Sequence, residues 1–170
     1  VDLGCGCGVV GLEALAKNRL KGLEALYFVE RQWTYQAYLT HNLTQATKAR
    51  ATPRLYALMV DWRSLTPMAL GGRVDYAICN PPWRPVSFRG SQNPAKRAAR
   101  EALYGDLIDL LLTAQTIIKP YGRLTLAWPS ADQATLRAAL AKVTALKLSR
   151  VTIVKARKPW LILADLTVVA

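Results

Sequence analysis

Histidine occurs once in this chain, as His41, and cysteine three times, as Cys5, Cys7 and Cys79. An odd cysteine count, with two of the three separated by a single residue, argues against a disulfide framework and for a reducing, cytoplasmic setting. The same scarcity argues against a metal centre, because a structural zinc would need all four of these side chains to converge. Long apolar runs are missing too. Although 52% of the residues are hydrophobic, no uninterrupted stretch reaches the roughly 18 residues of a membrane helix. Asp106 and Asp109 interrupt one candidate and Asp165 another, so no membrane partner is expected. The chain opens on Val1-Asp2-Leu3 without an initiator methionine or a charged leader, so no signal or transit peptide is visible and the chain reads as a fragment lacking its natural start. Acidic residues are few, 11 against 23 lysines and arginines, for a formal net charge of +12. Such an excess points to a polyanionic partner, although a basic surface that only keeps a protein soluble has the same composition.

What is present is an alternation of strands and helices across 170 residues, a length that suits one domain, 1–170. A strand remnant at Val1 to Leu3 precedes a helix over Gly11 to Leu20, which Gly22 stops. Leu26 to Val29 reads as a strand ending at Glu30, Trp33 to about Lys48 as a helix, and Leu55 to Val60 as a strand before Asp61. Val74 to Cys79 is a fourth strand, Leu103 to Ile118 a helix, Arg123 to Trp128 a fifth strand and Ala131 to Leu146 a helix. Strands at Ser149 to Val154 and Ile162 to Val169 close the chain with no helix between them. The pattern predicts an α/β, Rossmann-like, doubly wound and mainly parallel seven-stranded sheet, with an antiparallel last strand made by a hairpin.

Three strand ends carry chemistry. Gly4, Gly6 and Gly8 alternate after the first strand, where the absence of Cβ atoms permits a tight turn and close approach to a ligand. Glu30 ends the second strand, where a carboxylate can accept both hydroxyls of a ribose. Asp61 ends the third, placed to accept from an adenine amino group, with Trp62 beside it as an apolar wall. The spacing of Gly6, Gly8 and Gly11 also meets the dinucleotide fingerprint G-x-G-x-x-G. Two features oppose a dinucleotide. Asp2 at the mouth of the loop would repel a pyrophosphate but suit a cationic amino group, and Gly4 breaks the strand two residues before the fingerprint begins. A nucleoside without phosphates fits better. A tight turn, a solvated strand end and a turn cap would each explain one of these pieces alone.

The fourth strand runs into Asn80-Pro81-Pro82-Trp83, which delivers an amide, two rigid prolines and a flat aromatic to a strand's carboxyl end, where open α/β sheets bind ligands. A planar substrate bearing an NH2 group suits that set. An aromatic amine is a poor nucleophile, and acceptance of its hydrogens by the Asn80 side-chain oxygen and the Pro81 carbonyl would favour a pyramidal nitrogen without a histidine base. Trp83 can stack on the base. A proline turn with a buried tryptophan is the bland alternative. A long irregular stretch, Arg84 to Asn93, follows.

Asp2-Leu3-Gly4-Cys5-Gly6-Cys7-Gly8, Glu30, Asp61 and Asn80-Pro81-Pro82-Trp83 together resemble class I S-adenosylmethionine-dependent methyltransferases, and the resemblance covers nearly the whole chain. It implies that S-adenosyl-L-methionine is the cofactor, with Asp2, Gly4, Gly6, Glu30, Asp61, Trp62 and Asn80 binding it. Gly4 and Gly6 would lie against its methionine part, Glu30 on the ribose, and Asp61 with Trp62 on the adenine. Asn80, Pro81, Pro82 and Trp83 would be the catalytic set. It also implies that most of the first strand and everything upstream are missing.

The four-residue motif is similar to that of methyltransferases acting on adenine or cytosine amino groups and on glutamine amides, where the last residue is often tyrosine or phenylalanine. Arg84, Arg89, Lys96, Arg97 and Arg100 follow it, with Lys96 and Arg100 on one helix face, and are the expected nucleic-acid contacts. Lys155, Arg157 and Lys158 would widen the basic face. The segment Pro94 to Glu101, then Leu107 to Leu112, and the spacing of Glu30, Ala37 and Asn42 resemble bacterial adenine N6-methyltransferases that modify valine tRNA beside the anticodon. The leading expectation is therefore methyl transfer to an adenine N6 of RNA, most of all tRNA. A DNA adenine methyltransferase, a protein glutamine N-methyltransferase and a non-catalytic RNA-binding scaffold are the alternatives.

Overall fold

The computed structural model describes residues 1–17, 22–49, 53–82, 107–154 and 161–169. It has the expected α/β, Rossmann-like fold with seven strands, mainly parallel, and an antiparallel last strand. The chain divides into two compact units, Val1–Ser64 and Leu65–Ala170.

In the first unit the order is β1 (Asp2–Leu3), α1 (Val9–Ala16), β2 (Ala25–Val29), a 3-10 turn over Trp33–Tyr35, α2 (Gln36–Ala49), β3 (Arg54–Leu58) and a 3-10 turn over Trp62–Ser64. Strand β2 pairs in parallel with β1 on one side and β3 on the other. A strand flanked on both edges reads as a near-continuous apolar run, and Leu26, Phe28 and Val29 are buried. Cys5, Leu26, Phe28, Leu39 and Leu43 form the core, with Leu12, Leu23, Leu55 and Met59 packed against it. Tyr27 and Tyr56, opposite each other in register, stack with ring centroids 4.8 Å apart. Helix α1 starts at Val9, two residues before the expected Gly11, because left-handed Gly8 (φ 86) caps it and accepts the Leu12 N–H at 3.0 Å. The expected Trp33 helix opens instead as a 3-10 turn, with the Tyr35 N–H on the Gln32 carbonyl at 2.9 Å.

The second unit holds a 3-10 turn over Met68–Leu70, β4 (Val74–Cys79), α3 (Leu107–Ile117), β5 (Ile118–Pro129), a 3-10 turn over Ser130–Asp132, α4 (Gln133–Leu140), β6 (Leu146–Ile153) and β7 (Leu161–Val168). Strands β4 and β5 are parallel, and β7 runs antiparallel to both β5 and β6. The fifth strand is longer than Arg123 to Trp128. Pairing begins at Val74↔Ile118 and resumes at Tyr76↔Arg123, so Pro120 and Gly122, which read as a helix stop, lie in a bulge with Tyr121 at φ 64. The helix expected to reach Leu146 stops at Leu140, and turn bonds from Lys142 to Ala139 and from Val143 to Leu140 lead into β6.

Asp165, which breaks an apolar run, is 9% exposed on β7. Its oxygens are satisfied across the strands: Thr125 Oγ1 donates to Oδ1 at 2.5 Å, and Arg150 donates from Nε to Oδ2 at 2.8 Å. Among the described residues no helix is long and apolar enough to cross a membrane.

Candidate cofactor and methyl-acceptor site

The glycine loop of the first unit is a left-handed turn. Gly4, Gly6 and Gly8 stand at φ 68, 56 and 86, a region L side chains enter only at a cost. The surroundings differ from one glycine to the next. A Cβ on Gly4 would lie 3.0 Å from Cζ3 of Trp62, and one on Gly8 would lie 2.9 Å from Cδ1 of Leu39. A Cβ on Gly6 would meet nothing within 4 Å, so the loop presents an open face there.

Glu30, only 6% exposed, closes the loop from β2. Its Oε2 accepts the Gly6 N–H at 2.8 Å and its Oε1 the Gln32 N–H at 2.7 Å. Each carboxylate oxygen keeps acceptor capacity beyond these bonds. Asn42, from α2, donates its Nδ2 to the Cys7 carbonyl at 2.8 Å and so braces the other side of the loop. Burial, with the charges of Asp2 and Glu30 adding to it, pushes the Cys5 thiol up and favours its protonated form. Among the described residues no group of three histidine, cysteine or carboxylate side chains is arranged to hold a metal ion.

Asp2 is not at the mouth of the loop as expected. It is 1% exposed in β1, opposite Phe28, and its Oδ2 accepts the Gly11 N–H at 2.9 Å in the first turn of α1. It therefore satisfies one of the amides that a helix N-terminus leaves unpaired, and its negative charge suits that end of the helix. Burial raises its carboxyl to about 6, against the opposing pull of the Gly11 bond. Gly11 performs the packing task of the fingerprint's third glycine: a Cβ there would stand 2.7 Å from Cε1 of Phe28 and 3.0 Å from Oδ2 of Asp2.

Asp61 caps the turn that follows β3. Its Oδ1 accepts the Arg63 backbone N–H and Nε, each at 3.0 Å, and its Oδ2 accepts Arg63 Nη2 at 2.7 Å. Arg31 Nη1 lies 3.4 Å from the same Oδ2. These bonds and charges, Arg63 first, hold the Asp61 carboxyl below the usual carboxylate range. Trp62 lies over Gly4, and its buried Nε1 has no hydrogen-bond partner.

In the second unit Asn80 follows β4 and is exposed, Pro81 is buried and Pro82 half-buried. Trp83, Arg84, Arg89, Lys96, Arg97 and Arg100 lie outside the described residues, as do Lys155, Arg157 and Lys158. Asp2, Gly4, Gly6, Glu30, Asp61 and Trp62 are brought together within the first unit. Residue type and spacing assign no role to three residues around them: Asn42 is marked only by its spacing from Glu30, and Arg31 and Arg63 belong to no motif, although each stands within two residues of Glu30 or Asp61.

No family model matches the chain, and no curated protein matches it. Solved structures do. TrmN from Thermus thermophilus is 19% identical over 99% of this chain, with a TM-score of 0.65. The tRNA m1G37 methyltransferase of M. jannaschii is 14% identical over 100% of the chain, with a TM-score of 0.66. Magnesium protoporphyrin IX methyltransferase (ChlM) from Synechocystis PCC 6803, solved with bound SAM, is 15% identical over 98% of the chain, with a TM-score of 0.61. The fold is that of known methyltransferases. The chain spans less than half the length of the first two, 43% of TrmN and 44% of the m1G37 enzyme.

Proposed function

We propose that this chain transfers a methyl group from S-adenosyl-L-methionine to an exocyclic amino group of an RNA base, adenine N6 in tRNA. The observation that carries the reading is the pairing of Glu30 with Gly6: a carboxylate with spare acceptor capacity is fixed at 2.8 Å to the open member of a left-handed glycine loop. That is an arrangement for a ribose diol above a backbone that a ligand can approach closely. A nucleoside cofactor fits these residues. Glu30 would hold its ribose hydroxyls and Gly4 and Gly6 would admit its amino-acid part. The buried, unpartnered Nε1 of Trp62 offers a donor beside Asp61. Asp2 contributes from beneath, by holding α1 to the loop through Gly11.

When bound, the cofactor supplies an already activated methyl group, so the protein's remaining task is to position the nucleophile in line with it. Asn80 and the Pro81 carbonyl accept the two amine hydrogens and turn the nitrogen lone pair outward from the base plane. Pro82 would stiffen the segment, and Trp83 would stack on the base. Arg84, Arg89, Lys96, Arg97 and Arg100 would bind the phosphates on either side. The net charge of +12 favours RNA over a glutamine side chain in a protein.

The test is nucleoside mass spectrometry on bulk tRNA incubated with S-adenosyl-L-methionine and the protein, beside Asn80→Ala. New N6-methyladenosine made by the unmutated protein alone is the expected result. Methylation of a co-incubated protein substrate, or of no nucleoside at all, would overturn it.

A further inference from the structure

We infer that Trp33, assisted by Arg31, is a stacking subsite for an unpaired base of the RNA substrate, an inference that rests on the RNA reading above. Among the described tryptophans Trp128 is buried and Trp62 half-buried, whereas Trp33 is 64% exposed. An indole is a large apolar surface that folding ordinarily removes from water. Its position is also not that of a loose loop. Trp33 stands three residues beyond Glu30, at the carboxyl end of β2, the end at which open α/β sheets take their ligands. The intervening chain is pinned twice, by the Gln32 N–H on Glu30 Oε1 at 2.7 Å and by the Tyr35 N–H on the Gln32 carbonyl at 2.9 Å. The ring is thus presented on a fixed turn that shares its anchor, Glu30, with the glycine loop.

Its neighbour supplies charge. Arg31 has a side chain 42% exposed, and its 3.4 Å approach to Asp61 is long beside the 2.7 Å bond from Arg63 to the same oxygen. With 42% of its side chain exposed, that guanidinium is open to a phosphate while Arg63 also holds Asp61. An exposed aromatic beside a cation is the pairing used to hold single-stranded nucleic acid, since every base has a π-face and every linkage a charge. Trp33 would then take an unpaired base of the substrate, which a loop leaves free to splay.

Stacking and phosphate contacts separate by salt dependence, because only the latter release counterions. Bulk tRNA is titrated with the unmutated protein, Trp33→Ala, Trp33→Phe and Arg31→Ala at several salt concentrations, with cofactor affinity measured alongside by calorimetry. Trp33→Ala is expected to weaken tRNA binding by about 5- to 100-fold at every salt concentration with an unchanged slope. Trp33→Phe should recover most of that loss, and Arg31→Ala should lower the slope by about one. Cofactor affinity should not move in Trp33→Ala. Equal tRNA binding by Trp33→Ala and the unmutated protein overturns the subsite alone. So does a loss shared with cofactor affinity, or self-association of the unmutated protein that Trp33→Ala abolishes. If the unmutated protein binds no tRNA, the RNA reading falls and the subsite with it.

Discussion

Glu30 reaches back 24 residues along the chain to accept the amide of Gly6 at 2.8 Å, while its second oxygen takes the amide of Gln32 at 2.7 Å. One carboxylate thereby fixes both the loop after β1 and the turn after β2. The fold brings these ends together because β1 and β2 are parallel and in register, Leu3 opposite Val29. A ligand that bonds to Glu30 meets a loop whose shape this carboxylate already fixes, which lowers the ordering cost of binding.

Replacing Glu30 by alanine should therefore act on two quantities. Two charge-assisted bonds to backbone amides are lost at a residue only 6% exposed, and stability should fall by about 2 kcal/mol. Cofactor affinity, measured by calorimetry well below the unfolding transition, should fall about tenfold or more as the proposed ribose acceptor disappears. Asn80→Ala should leave that affinity nearly intact while removing most turnover. Equal losses of cofactor affinity in both variants would refute the division of roles.

Gly6 and Gly11 separate binding from packing. Gly6→Ala adds a methyl where nothing lies within 4 Å, so its stability cost is the left-handed backbone alone, about 1–2 kcal/mol. The methyl would occupy the face through which a ligand approaches, and cofactor affinity should fall steeply. Gly11→Ala instead drives a methyl to 2.7 Å from Phe28, an overpacking cost of about 1–3 kcal/mol with little direct effect on affinity. Denaturant melts and calorimetry on the two variants should give opposite rankings.

The parts of this site set by periodicity and strand ends were legible in the residues alone. Glu30 directly follows β2 and Asn80 directly follows β4, because an apolar run of five or six residues stops where the chain meets polar surroundings. Strand β3 instead ends at Leu58, two residues short of the expected Val60, and leaves Asp61 at the turn beyond it. What depends on three-dimensional packing was not legible. Asp2 read as a residue at the loop's mouth, yet the absence of a Cβ at Gly11 lets α1 close over it. The cap on Asp61 by Arg63 is local in sequence but was read only as one alternative to adenine recognition. The bulge in β5 put Pro120 and Gly122, both helix stoppers by type, inside a strand pair.

Asp2 makes stability depend on pH with the reverse of the usual carboxylate sign. Its folded carboxyl is raised by burial to about 6, so the native state keeps this proton over a range in which the unfolded chain, titrating near about 3.9, has lost it. Between those values the native state binds more protons, and stability must fall as pH rises through the window and level off above it. The group's contribution is on the order of 2–3 kcal/mol. Asp2→Asn keeps an acceptor for the Gly11 amide without a buried charge. Denaturation midpoints between pH 4 and 7 should therefore decline less steeply in Asp2→Asn than in the unmutated protein, and a parallel pair of curves would reject the assignment.

On the proposed reading Asp61 recognises an adenine, and there it faces a competition. A carboxylate offers about four acceptor positions, and here the Arg63 amide, its Nε and Nη2, and Arg31 Nη1 already approach them. An adenine amino group can accept this site's geometry only by displacing one of these donors, and the displaced bond offsets part of the gain. Arg63→Ala removes two of the donors while keeping the backbone amide that caps the turn. Cofactor affinity should then rise, on the order of threefold to tenfold. The acid limb of that affinity should move up in pH as well, since the Arg63 bond is the first cause holding the Asp61 carboxyl low. Calorimetric titrations of Arg63→Ala and Asp61→Asn across pH test both effects. Weaker cofactor binding in Arg63→Ala would mean that the guanidinium itself contacts the ligand and that Asp61 serves only to hold it.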